Sequence, residues 1–117
     1  MSEPETRALH QDLRAFKPHV VVVLHSIATG PLVNYDGPAE KLAAAFADAA
    51  QRVSPAWHVE PDMGYPTSGS LGNYLGVDQG VPVLTIEFQR GQDEATATAA
   101  LRQGLAAVIR AASTRTP

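Results

Sequence analysis

The chain has no cysteine. This excludes disulfides, thiolate metal sites and a cysteine nucleophile, and it suits a reducing or an oxidising compartment equally well. Aromatic residues are scarce, at 6% of 117 residues, and nineteen alanines make up much of the 44% hydrophobic fraction. A chain of this kind builds one modest core, so residues 1–117 are expected to form a single domain. There is no excess of basic charge either: nine Lys and Arg are scattered against twelve Asp and Glu, for a net charge of −3. The cationic stripe that a nucleic-acid surface needs is missing, and no nucleic-acid partner is expected. The aliphatic run Val20 to Leu24 is far shorter than a membrane span. The first twenty residues are helical in pattern rather than signal-like, so no membrane partner is expected and the cytoplasm is the default location.

What the chain does have is organised around Val20-Val21-Val22-Val23-Leu24-His25-Ser26. Four β-branched residues and a leucine without polar alternation predict a strand buried on both faces, in the middle of a parallel sheet, with His25 and Ser26 at its carboxyl end. Ahead of it, Ser2-Glu3-Pro4-Glu5 has the spacing of a capping box. Leu9, Leu13 and Phe16 then form one apolar stripe of a helix that Lys17-Pro18 ends. Behind it, Ile27 to Tyr35 reads as a loop. Asp36-Gly37-Pro38 starts a second helix running to about Val53, with Leu42, Phe46, Ala49, Ala50 and Val53 inward and Glu40, Lys41, Asp48 and Arg52 outward.

Trp57-His58-Val59-Glu60 reads as a short edge strand on which His58 is exposed and carries no role. The turn formers from Gly64 to Ser70, headed by Tyr65, predict a loop. Ser70 can cap a third helix from Leu71 to Gln79, stopped by Gly80, with Gly72, Gly76 and Gly80 spaced as a close-packing face. Val83-Leu84-Thr85-Ile86-Glu87-Phe88 predicts a second buried strand, and Glu87 sits among apolar neighbours where a carboxylate is costly unless exposed or paired. A last helix, capped near Asp93, carries Leu101, Leu105, Val108 and Ile109 on one face, and the residues after Ser113 should fray.

Two buried strands joined through helical segments run parallel, which predicts an α/β fold: a small, mostly parallel sheet, with these two strands at its centre and helices on its faces. Their carboxyl ends then share a rim. His25, Glu87 and the Tyr65 loop would surround one cleft with a nitrogen ligand or base, a carboxylate and a phenol. Each residue alone is more simply a strand end, a solvated carboxylate and a packed loop tyrosine; their joint placement carries the functional reading. Gly69-Ser70-Leu71-Gly72 lacks the strand and spacing of a nucleophile elbow, and no Asp is positioned to orient His25 for a serine hydrolase using Ser68 or Ser70. There is no glycine-rich phosphate loop between a strand and a helix. No His-x-x-Glu or His-x-x-x-His pair occurs, so the chain alone cannot make a three-ligand zinc site.

Val22-Val23-Leu24-His25-Ser26, the stretch from Gly64-Tyr65-Pro66 to Gly72-Asn73-Tyr74, and Val83-Leu84-Thr85-Ile86-Glu87 resemble, in that order and at those separations, the carboxyl-terminal half of the zinc carboxypeptidases, in particular their murein peptide amidase branch. The resemblance implies a partial carboxypeptidase-like α/β/α fold and hydrolysis of a peptide or γ-glutamyl amide bond. By it, His25 would be the third zinc ligand and Ser26 a neighbour that lines the site. Tyr65 would be a mobile-loop tyrosine bonding the bound peptide. Glu87 would be the general base that takes a proton from zinc-bound water and passes it to the leaving amine. Leu71 and Thr85 would face the side-chain pocket of a peptide or cell-wall peptide substrate.

The family's other zinc ligands, a His-x-x-Glu segment, and its substrate arginines precede the matching region, and nothing in residues 1–24 replaces them. Zinc would thus have one ligand in this chain, which is expected to be inactive alone. A different reading is a non-catalytic binding or assembly module that keeps the half-fold. In either case the open sheet edge invites self-association or a complementary chain.

Overall fold

A computed structural model describes residues 3–61 and 73–113. Helix α1 (Pro4–Phe16) leads into strand β1 (Val21–Ile27), followed by β2 (Leu32–Asp36), α2 (Glu40–Ala50), β3 (His58–Val59), a π-helical turn (Asn73–Asp78), β4 (Val83–Gln89) and α3 (Glu94–Ser113). The strands form one sheet in the order β1-β4-β2-β3; β1 and β4 are parallel, β2 and β3 are parallel, and β4 and β2 are antiparallel. The α/β class and the mostly parallel sheet are as the sequence predicts.

Strand β4 is the centre of the sheet. Val83, Leu84, Ile86 and Glu87 are all buried, which is why this stretch is apolar without alternation. Leu84 and Ile86 enter a core with Val33 of β2, Trp57, and Leu42, Ala43, Phe46, Ala47 and Ala50 of α2. Trp57 stands edge-on to Phe46 at 5.6 Å and to Phe88 at 5.7 Å between ring centroids, and Gln51 Nε2 donates to its carbonyl oxygen at 2.7 Å. Helix α3 packs on α2 through Ala100, Gly104 and Val108. A Cβ at position 104 would stand 2.3 Å from Phe46 Cε2, so the two helices approach closely only because this residue is glycine.

Five expectations need correcting. Val20 to Leu24 does not lie at the middle of the sheet: β1 is an edge strand with no buried residue, and Leu24 is 52% exposed. The same residues would be covered on both faces only with a neighbour on each side, and among the described residues β1 has β4 alone. The stretch from Ile27 to Tyr35 is not all loop, since Leu32–Asp36 forms β2, with Val33 fully buried against Ile86. Ser2 lies outside the described residues, and the N-cap of α1 is Glu3 with no side-chain cap bond; Pro4, with its fixed φ, sets the first helical position instead. The apolar stripe of α1 is largely uncovered, with Leu9 46% and Phe16 76% exposed. On α3 the inward face centres on Gly104, which leaves Ile109 63% exposed.

Other local readings hold. Lys17 ends α1 in the left-handed conformation, its N–H bonding to Leu13 O, and Gly80 follows the π turn at φ +71°. Of the three spaced glycines, Gly76 packs tightly on β2, where a Cβ would meet the Asp36 carbonyl carbon at 2.5 Å. A Cβ at Gly80 would meet nothing within 4 Å and Gly72 lies outside the described residues, so the expected close-packing face reduces to Gly76. Burial pushes the Asp36 carboxyl above the usual carboxylate range. No helix among the described residues is long and apolar enough to cross a membrane.

The cap of α3 makes a first prediction. Asp93 Oδ2 accepts from the Thr96 N–H and the Thr96 hydroxyl, both at 3.0 Å, and these bonds hold its carboxyl below the usual range. A depressed carboxyl pKa contributes stability above the unfolded value and loses it as pH falls through the folded value. Asp93→Ala should therefore lower the thermal midpoint at neutral pH, and the gap from the native chain should close in acid. A gap of unchanged size at low pH would show that the charge of the cap contributes nothing.

Candidate active site

Side-chain alternation and strand register decide which residues can meet. Leu84 and Ile86 of β4 face the helix-covered core, so Val83, Thr85 and Glu87 face the opposite side. Residues opposite one another in neighbouring strands share a face. His25 of β1 is the Cα partner of Glu87 on one side, and Leu32 of β2 is its partner on the other. The row His25, Glu87, Leu32 thus crosses the carboxyl end of the β1–β4 pair on the face away from α2 and α3, at the usual strand spacing of about 4.8 Å.

Glu87 is only 8% exposed, and its Oε1 has no hydrogen-bond partner among the described residues. A buried polar atom without a partner is uncommon and costly. Its neighbour His25 is exposed at the sheet edge. The arrangement is therefore a carboxylate set into the sheet floor beside an imidazole open to solvent, with apolar Leu32 on the far side.

Thr85 lies one rung toward the start of the strands on the same face, half-buried between Val23 and Asn34. Ser26 is the Cα partner of Phe88 and alternates to the helix-covered side of the sheet, where it is exposed; the register does not bring it together with His25 and Glu87. Tyr65 and Leu71 lie outside the described residues.

The turn before β2 is a part of the site region that the sequence pattern does not announce. A Cβ at Gly30 would stand 2.8 Å from Glu87 O and from the Phe88 carbonyl carbon, so the Gly30-Pro31 backbone lies directly on the peptide that follows Glu87. The signal that could have found it is the glycine itself, since close backbone approach requires a residue without Cβ. His58, on the same row beyond Leu32, bonds through Nδ1 to Ala56 O at 3.0 Å and lies 4.0 Å from the Glu60 carboxylate.

Catalytic zinc takes three protein ligands and keeps one position open. His25 and Glu87 offer one nitrogen and one carboxylate, and among the described residues there is no group of three His, Cys, Asp or Glu that could hold a metal. These residues do not fit a zinc ion by themselves.

No family model matches the sequence, and no curated protein matches it. Solved structures do. The murein-tripeptide amidase MpaA from Escherichia coli O157 is 26% identical, covers 99% of this chain with a TM-score of 0.63, and is itself covered over 44% of its length. A protein assigned as a carboxypeptidase from Burkholderia mallei ATCC 23344 is 20% identical, covers 93% of this chain with a TM-score of 0.52, and is covered over 35%. The chain thus spans less than half the length of either. The resemblance to the zinc carboxypeptidases is met at the level of the fold, which is zinc carboxypeptidase-like.

Proposed function

We propose that this chain is the part of a peptide or γ-glutamyl amide hydrolase that supplies an imidazole ligand, His25, and a proton-carrying carboxylate, Glu87, to a site that other residues complete. The observation that carries the reading is the shared rung of His25 and Glu87, with Glu87 Oε1 buried and unpaired. A carboxylate in that setting accepts a proton from an attacking water and returns it to the leaving amine, which is general acid–base catalysis at a partly dry floor. Tyr65 would close over the bound peptide. Thr85 and Leu71 would line the pocket for its side chain, and Ser26 would contact the substrate through its main chain, since its side chain lies on the other face. The likeness to a murein-tripeptide amidase supports a cell-wall peptide as substrate.

On this reading zinc needs ligands from outside these 117 residues, and the isolated chain is inactive. The chain, loaded with zinc and dialysed, should retain far less than one equivalent by atomic absorption. One tightly held zinc per chain would contradict the need for further ligands. The genomic reading frame upstream of Met1 should continue into a His-x-x-Glu segment. The protein it encodes should hydrolyse a murein tripeptide, and His25→Ala should abolish that activity. A frame that stops short, with no activity from the encoded protein, would leave a non-catalytic module that keeps the fold.

A further inference from the structure

Strands β1 and β2 are consecutive in the chain, yet β4 lies between them in the sheet. Their connection, residues 28–31, has to pass over β4 or around its end. It leaves β1 at Ile27, level with Gln89, and enters β2 at Leu32, level with Glu87. The crossing therefore falls on the carboxyl end of β4, at the peptides that follow the Glu87 carboxylate. All three strands belong to this chain, and β4 has a neighbour on each side.

This bridge has little slack. Two strand spacings of about 4.8 Å separate β1 from β2, and the path must also rise over the β4 backbone and fall back by two residues. The steps from Ile27 to Leu32 reach at most about 3.6 Å each. The first half of the bridge is tied down as well: Ile27 O accepts from Gly30 N–H at 3.2 Å and from Arg90 N–H at 3.0 Å. One oxygen thus holds both the bridge and the residue that follows β4.

Gly30 is where the bridge meets β4. A Cβ there would lie 2.8 Å from Glu87 O, from the Phe88 carbonyl carbon and from Phe88 O. All three are backbone atoms of a strand held by ladders on both sides, not the far end of a flexible side chain. A taut bridge cannot lift to make room, so bulk added at position 30 is passed to the Glu87–Phe88 peptide.

We propose that Gly30 is a positioning residue for Glu87: lacking a Cβ, it lets the β1–β2 bridge clamp the Glu87–Phe88 peptide and so fixes the carboxylate on its rung beside His25. Gly30 touches no reacting atom. The effect on catalysis rests on the hydrolase reading above, whereas the effect on the rung does not.

Two changes disturb the clamp in opposite senses. Gly30→Ala presses on the peptide, and one glycine inserted between the exposed Ala28 and Thr29 slackens the bridge. In the protein encoded by the full reading frame, each should lower kcat on a murein tripeptide and leave KM unchanged. For Gly30→Ala the loss should be about 10²-fold, the cost of misplacing a reacting group by about 1 Å. In the 117-residue chain, Gly30→Ala should weaken the nuclear Overhauser contacts between the backbone protons of His25 and Glu87 and spare those between Val21 and Val83. The insertion should speed hydrogen exchange of the Arg90 amide.

A Gly30→Ala enzyme that loses thermal stability but keeps the parent's kcat would show a merely structural glycine and overturn the proposal. Unchanged contacts between His25 and Glu87 overturn it too. If Gly30→Ala loses the parent's circular dichroism, the insertion decides: a lowered kcat at the parent's KM with faster Arg90 exchange upholds the clamp, and the parent's value for either overturns it. An inactive parent sinks the hydrolase reading instead, and the Overhauser contacts of the 117-residue chain then decide alone whether Gly30 sets the rung.

Discussion

On the proposed hydrolase reading, replacing Glu87 with glutamine should lower kcat of the completed enzyme by about 10²–10⁴, the usual contribution of a positioned general acid–base. The same change should leave the fold at least as stable as before. Glu87 is 92% covered, and one carboxylate oxygen has no partner among the described residues. A buried acceptor left unsatisfied costs about 1–3 kcal/mol, and an ionised one costs more. Glutamine keeps the shape and removes the charge. Glu87→Leu removes the orphaned acceptor as well and should raise the urea midpoint of the 117-residue chain. Loss of activity with retained or increased stability is the signature of a residue kept for chemistry at the expense of the fold. If glutamine retained full kcat, Glu87 would not be the base. If activity and urea midpoint fell together, its carboxylate would be structural.

What the sequence makes legible follows from what a hydrophobic pattern records. A run of apolar residues reports what the faces of a strand are able to bury, not whether a neighbour is present to bury them. Val83 to Phe88 and Val20 to Leu24 look alike in sequence, yet the first is the sheet centre and the second its edge. Strand β2 escapes notice because its Asn34, Tyr35 and Asp36 dilute the apolar signal of Leu32 and Val33. Gly104 escapes for a different reason: periodicity counts side chains, and here the missing one fixes where α2 and α3 touch and turns Ile109 outward. The capping residue Asp93 was legible because its chemistry is local, a carboxylate three residues before Thr96.

The pairing of His25 with Glu87 was legible for a topological reason. Both close an apolar run, and parallel strands bring run-ends to one rim. Their common face, and the separation of Ser26 from it, come from a register that no single-strand pattern contains. The cover contributed by Gly30 is a contact between a turn and a distant peptide bond, and it likewise becomes visible only in three dimensions.

The largest stability effect is expected at Trp57. Trp57→Ala should cost about 3–5 kcal/mol, the range for deleting a fully buried aromatic side chain. Small domains hold only about 5–15 kcal/mol in total. Much of this core is alanine: Ala39, Ala43, Ala47, Ala49, Ala50 and Ala100 are all buried, and each contributes little apolar area. The indole stands edge-on to both Phe46 of α2 and Phe88 of β4, so its loss removes an aromatic link between the helix layer and the sheet. Relaxation around the gap is limited because Gly104 already lies close against the Phe46 ring. Trp57→Phe should cost much less than Trp57→Ala, for two reasons: it keeps an aromatic ring between Phe46 and Phe88, and it removes an indole N–H that is buried without a partner among the described residues. Trp57 is the one tryptophan, so the midpoints must be read by circular dichroism in urea rather than by fluorescence. An alanine variant within about 1 kcal/mol of the parent would place the linkage of sheet and helices elsewhere than in this aromatic cluster.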